Sequence, residues 1–202
     1  VLEKMIIAGV DVVRMNFSHG VKEDHVARAE LVRTIAKEQG RTGGVLADLQ
    51  GPKIRVGKFA DGKITLKPGD AFILDAACTL GNQERVGLDY KELPGDVVVG
   101  DMLLLDDGLI TMTVKAVMGA EIHTIVEHGG MLKNNKGINR KGGGLTAPAL
   151  TEKDMEDIKT AAFIKADFIA VSFPRSGADM DLARDLMRKA GGKSQLVAKI
   201  ER

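Results

Sequence analysis

Apolar positions in the first fifty residues alternate between two periods. Residues 2–8 carry Leu2, Met5 and Ile6 at helical spacing, and Gly9 supplies a stop. Residues 12–17, VVRMNF, read as a strand running into a Ser18-His19-Gly20 loop. From 24 to 37, Val26, Ala29, Val32, Ile35 and Ala36 form an apolar stripe of helical period, which Gly40 to Gly44 ends. Residues 44–49, GVLADL, make a second short strand. Helix, strand, helix, strand is the rhythm of a parallel sheet with covering helices.

After Gly51-Pro52 the texture changes. Short Val/Ile/Leu/Thr runs at 63–66, 71–74, 97–99, 102–105, 109–117 and 121–126 are split by Asp61-Gly62, Pro68-Gly69-Asp70, Gly100-Asp101, Asp107-Gly108 and Gly119-Ala120. That spacing predicts an all-β insertion, a small barrel or sandwich. Gly142-Gly143-Gly144 and Pro148 close it, the glycines reading as a hinge. Thr151 with Asp154 three residues on forms an acidic capping box, and Ile158, Ala161, Ala162 and Ile164 give the helix an apolar side. Strand 167–173, helix 179–190 and strand 196–201 follow, so the βα rhythm resumes. The expected organisation is α/β: residues 1–52 as the first part of a (β/α)8 barrel, 53–148 as an inserted β-domain, and 149–202 as the barrel continued. Four strands cannot close such a barrel.

Composition narrows the function classes. Lys and Arg total 29 against 28 Asp and Glu, a balance that favours neither nucleic acid nor a membrane surface as partner. No apolar run approaches the roughly 20 residues of a membrane-spanning helix. One cysteine, Cys78, excludes an intrachain disulfide and fits a reducing cytoplasm. The start at Val1, inside a helical pattern, and the end just past a strand suggest a piece of a longer protein, expected to be inactive alone and poorly folded outside the β-domain.

Polar residues gather at or just beyond the carboxyl ends of the four parallel strands: Arg14, Asn16 and Ser18, then Asp48, then Ser172, then Lys199 and Glu201. A (β/α)8 barrel builds its active site at that end. Lys199 and Glu201 share a strand face, which suits an anionic oxygen beside a divalent metal. Arg14 on an expected inner face needs a partner, either an anion or Asp48. Asp106-Asp107-Gly108 reads as a turn before a metal pair, and His19 as a loop-fixing residue before a ligand. Lys133, Lys136, Arg140 and Lys141 are a solvated basic face or a phosphate contact.

These residues carry a resemblance. Arg14 followed by Met15-Asn16-Phe17-Ser18-His19-Gly20 resembles the first signature of the pyruvate kinase family, and Asp48-Leu-Gln-Gly-Pro-Lys-Ile-Arg55 the second. Asn135-Lys-Gly-Ile-Asn139, Leu150-Thr-Glu-Lys-Asp154, Val171-Ser-Phe173 and Ala198-Lys-Ile-Glu201 complete the series in order and in register, closest to the bacterial Gly-Pro-Lys-Ile-Arg branch.

The resemblance implies a phosphotransferase acting on phosphoenolpyruvate/pyruvate and ADP/ATP, homotetrameric as the whole enzyme, with the β-insertion as its B domain and lid. Arg14 and Arg55 match the residues that bind the transferred phosphoryl group, and Arg14 also lies on the nucleotide side. Lys199 matches the lysine that stabilises the enolate oxygen. Glu201 matches a carboxylate ligand of Mg²⁺ or Mn²⁺. Lys136 matches a lysine that meets nucleotide phosphates, and His19 lies in the nucleotide-side loop. Asn16, Ser18 and Asp48 match a K⁺ cradle. Lys53 stands where potassium-requiring relatives have Glu, and Leu49 where they commonly have Thr, so the Lys53 ammonium is expected to replace K⁺. Two other readings remain open: a metal-dependent enolate-forming lyase on a similar barrel, and a non-catalytic fragment binding nucleotide or a partner.

Overall fold

A computed structural model of the chain describes residues 1–52 and 54–200. Contacts divide these residues into two compact units, 1–52 with 148–200, and 54–147.

In the first unit, helix α1 (Leu2–Ile7) leads into strand β1 (Val12–Asn16), helix α2 (Lys22–Glu38) and strand β2 (Gly44–Asp48). The second unit's elements intervene in the chain: β3 (Lys63–Leu66), β4 (Ala71–Asp75), β5 (Arg85–Val86), α3 (Leu93–Asp96), β6 (Met102–Leu105), β7 (Ile110–Met118), β8 (Glu121–His128), β9 (Gly130–Lys133) and β10 (Ile138–Arg140). The first unit then resumes with α4 (Glu152–Phe163), β11 (Phe168–Ser172), α5 (Gly177–Lys189) and β12 (Gln195–Lys199).

The first unit holds a four-stranded parallel sheet in the order β1-β2-β11-β12. Alternation along the strands divides labour between its faces. Val13 and Met15, Val45 and Ala47, Ile169 and Val171, and Leu196 pack with Ala29 and Val32 of α2, Ile158 and Ala161 of α4, and Ala183 and Met187 of α5. The alternate positions, among them Arg14, Asn16, Asp48, Ser172 and Lys199, fall on the opposite face. Helix α4 starts at the expected capping box: Thr151 Oγ accepts from the Asp154 amide, and the Asp154 carboxylate accepts from the Thr151 amide at 2.9 Å.

The second unit has a six-stranded sheet, β10-β6-β7-β8-β4-β5, and a two-stranded sheet, β3-β9. Its core is mostly aliphatic around two phenylalanines, Phe59 and Phe72, with Phe72, Leu74, Leu103, Leu105, Met112 and Ile122 fully buried. Two sequence expectations need correction here. Residues 97–99 are not a strand. They follow the short helix α3, which has a proline in its first turn. The Asp101 carboxylate takes the Val98 amide at 2.7 Å and closes a turn, leaving Val98 and Val99 exposed. Strands β5, β9 and β10 lie where no strand was expected, because they are two to four residues long and are held by cross-strand pairing more than by local propensity.

Candidate active site

The register of the parallel sheet puts Asn16 opposite Asp48, Asp48 opposite Ala170, and Ser172 opposite Lys199. Polar side chains from all four strands therefore meet at the carboxyl ends. Asp48 is their centre. Its Oδ2 accepts from Arg14 Nε at 2.6 Å, and its Oδ1 accepts from Lys199 Nζ at 3.1 Å. Lys199 Nζ also donates to Ser172 Oγ at 3.1 Å, and that hydroxyl donates to the Leu49 carbonyl at 2.7 Å. Asp48 is almost wholly enclosed, its side chain only 3% exposed, whereas those of Arg14 and Lys199 are 61% and 30% exposed. A buried carboxylate thus anchors two cationic side chains that still reach solvent, so they can meet an anion with little reorganisation.

The loops behind this cluster are tied down. The Asn16 side-chain oxygen accepts from the Ser18 amide at 3.0 Å, an Asx turn that fixes the strand exit. The His19 amide donates to the Asn16 carbonyl. Lys153 of α4 donates to the Phe17 carbonyl at 2.7 Å. The Phe17 ring is fully buried and meets His25 edge-on, with ring centroids 3.9 Å apart. Burial pushes the His25 imidazole below its ordinary value; Arg28 and Lys153 push the same way, and Asp157 and Asp24 oppose them. Gly51, with φ +66°, donates its amide to Asp154 Oδ1 at 3.0 Å. A Cβ there would stand 2.8 Å from that of Ser172.

Sequence reasoning left Lys153, His25 and the Gly51–Asp154 bond out of the site. Asp154 carried a signal through its capping box, and Lys153 and Gly51 lay inside quoted motifs without a role of their own. Leu49 also differs from a site side chain: it is buried in the helix-covered core and offers its carbonyl. Arg14, Asn16 and His19 line a cavity of about 420 Å³ with Leu2, Val13 and Val32. Lys53 and Glu201 lie outside the described residues. Among the described residues no group of three or more His, Cys, Asp or Glu is arranged to hold a metal, and no helix is long and apolar enough to cross a membrane.

The second unit brings two further candidates together by backbone pairing. Arg55 and Gly137 form an antiparallel bridge, flanked by Val56 N to Lys136 O and Ile138 N to Ile54 O, both at 2.9 Å. Arg55 is exposed, and Lys136 Nζ pairs with Asp106 Oδ1 at 2.7 Å. Arg140 of β10 donates to the Asp96 carbonyl and to Asp101, and Lys133 of β9 lies opposite Lys63.

Parallel βα units that converge Arg, Lys and a buried carboxylate at their strand ends, interrupted in the chain by a separate β-unit, define the class: a mixed α/β protein of barrel type. Its family follows from comparison. The family model described as pyruvate kinase, barrel domain, matches residues 1–202. The chain is 61% identical to a pyruvate kinase of Haemophilus influenzae and 58% identical to pyruvate kinase II of Salmonella typhimurium, in each case over 100% of this chain and 42% of the relative. It is 43% identical to a pyruvate kinase of Mycobacterium tuberculosis over 98% of this chain and 42% of the relative. The chain belongs to the pyruvate kinase family, and it spans about two fifths of the length of these relatives.

Proposed function

We propose that the protein carrying this chain transfers the phosphoryl group of phosphoenolpyruvate to ADP, giving pyruvate and ATP. The observation that carries this reading is the Asp48 carboxylate shared between Arg14 and Lys199 at the carboxyl ends of parallel strands, in a chain of this family. The bond from phosphorus to the enol oxygen breaks, a bond to a terminal ADP oxygen forms, and the departing enolate takes a proton on carbon. Such a transfer needs positioning and charge neutralisation more than covalent chemistry. Arg14, with Arg55, grips the phosphoryl oxygens. Lys199, held by Asp48 and Ser172, neutralises the enolate oxygen. Lys136, with Arg14 and His19 nearby in role, meets the nucleotide. The four-stranded sheet is part of a (β/α)8 barrel, and residues 53–148 are its B domain, a lid that excludes water.

A divalent cation, Mg²⁺ or Mn²⁺, belongs to this reading and would supply charge neutralisation at the phosphates. Glu201 is the carboxylate assigned to it. Asn16, Ser18 and Asp48 are assigned to the monovalent-cation position, and Lys53 to replacing the charge of K⁺.

One assay tests this proposal: phosphoenolpyruvate-dependent ATP formation by the full-length protein, at constant ionic strength, with Na⁺ or K⁺ as the salt. Turnover in both salts, lost in Lys199→Met, is expected. No turnover in either salt would overturn the reading and leave a nucleotide-binding role. Turnover in K⁺ alone would overturn the assignment of Lys53.

A further inference from the structure

The Lys136–Asp106 pair is built with more constraint than a surface ion pair requires. Asp106 opens the β6–β7 turn, where Asp106, Asp107 and Gly108 take φ of 51°, 57° and 85°. Two successive non-glycine residues in the left-handed region are uncommon, although Asp is among those that tolerate it. The β10–β6 register sets Ile138 against Leu105, and the Asp106 amide donates to the Gly137 carbonyl at 3.1 Å. The turn is thereby held against the segment that carries Lys136. That segment is fixed on its other side by Val56 and Arg55, and Asn135 just before it is also left-handed, at φ 57°.

The outcome is a 2.7 Å ion pair in which the Asp106 side chain is 15% exposed and that of Lys136 is 37% exposed. The carboxylate is the sheltered partner and the ammonium the accessible one. An anion arriving from solvent meets a lysine whose charge is already largely answered by a carboxylate, and it has to share or displace that partner.

We infer that Asp106 restrains Lys136 and sets its affinity for anionic ligands, weakening the hold on the phosphates of ADP. This rests on the reading of Lys136 as a nucleotide-phosphate residue. Asp106 is a positioning residue in it and touches no substrate. Lys136 keeps its place through backbone pairing, so removing the carboxylate's charge frees the ammonium without moving the segment.

The test uses the full-length protein with Asp106→Asn, Lys136→Met and the double variant. Asn tolerates left-handed backbone and keeps the shape of Asp. ADP dissociation constants come from equilibrium titration, the KM for each substrate from steady-state rates, and folding from thermal unfolding. Asp106→Asn is expected to tighten ADP binding about 1.5-fold to fivefold, the range of an exposed ion pair's worth, with the KM for phosphoenolpyruvate unchanged. Lys136→Met weakens ADP binding, and in its background Asp106→Asn has no effect. A general structural role would not produce a gain confined to one substrate and dependent on Lys136.

If Lys136→Met weakens ADP binding while Asp106→Asn leaves it unchanged or weakens it too, the restraint is overturned and the role of Lys136 stands. If Lys136→Met leaves ADP binding unchanged, the assignment of Lys136 falls and this inference with it. Should Asp106→Asn unfold, Asp106→Gly, which suits the same backbone, takes its place in each comparison.

Discussion

Removing the carboxylate at position 48 is the sharpest perturbation of the sheet unit. Asp48 accepts from Arg14 at 2.6 Å and from Lys199 at 3.1 Å while its own side chain is only 3% exposed. Asp48→Asn keeps the volume but turns an amide donor toward one of the two cations. Hydrogen bonds to charged groups contribute about 1.5–3 kcal/mol each. Solvent screens the cationic ends, Arg14 more than Lys199, so the two together are worth about 2–3 kcal/mol. The protein has no Trp and one tyrosine, Tyr90, which lies in the other unit, so ordinary fluorescence is blind to this sheet. Hydrogen–deuterium exchange of peptides from β2 and β11 reads it directly. Their most protected amides should exchange roughly 30- to 150-fold faster in the variant, the ratio equivalent to that free energy. In a Lys199→Met background the same substitution should cost less, because one of its two partners is already gone. Unchanged exchange in Asp48→Asn, or an identical cost in both backgrounds, would refute the view that Asp48 is the shared anchor.

Two further outcomes follow from the loops behind the cluster. His25 is held below its ordinary value chiefly by burial, so the unfolded chain binds a proton that the folded one does not. Stability should therefore rise with pH up to about the unfolded histidine value near 6.5 and level off above it, and His25→Phe, measured by urea unfolding from pH 5 to 8, should flatten that slope. Gly51→Ala should destabilise the first unit by about 2–3 kcal/mol in the same measurement, combining the roughly 1–2 kcal/mol of a left-handed alanine with a Cβ 2.8 Å from the Ser172 Cβ; a loss below about 0.5 kcal/mol would mean that the turn relaxes freely.

Elements with a strong period could be read before any coordinates. The stripe Val26, Ala29, Val32 and the strand cores around Val45 and Ile169 pack as their spacing requires, and the Thr151 capping box starts its helix at the expected residue. What escaped was set by tertiary partners. The run at 97–99 looks like a strand by propensity, yet the Asp101 side chain captures the Val98 amide first. Strands β5 and β10 are too short to carry a pattern and exist through their neighbours. Of the two alternatives for Arg14, an anion or Asp48, the structure shows the pair with Asp48, which uses Nε and leaves most of the side chain exposed. The ring contact between Phe17 and His25 has no sequence signature, because an edge-on aromatic packing depends on how α2 lies against the sheet.

Period two explains why the sheet can serve both stability and chemistry. Each strand gives one set of alternate positions to the helix-covered core, and the other set is released from packing. Asp48 sits where both demands meet: it follows Ala47 of the core, its carbonyl takes the Phe17 amide at 2.9 Å, and its carboxylate aligns cations from β1 and β12. A substitution that slipped the register of β2 by one residue would move Asp48 into the core and bring Ala47 to the cations, losing the core packing and the cation anchor together. The second unit meets the same need by other means. Arg55 and Lys136 are set by one antiparallel bridge and one hairpin turn, neither of which draws on the parallel sheet. Damage to the Asp48 cluster should therefore leave the Lys136–Asp106 pair intact, and the converse should hold as well. The two clusters can be taken apart by mutation and measured one at a time.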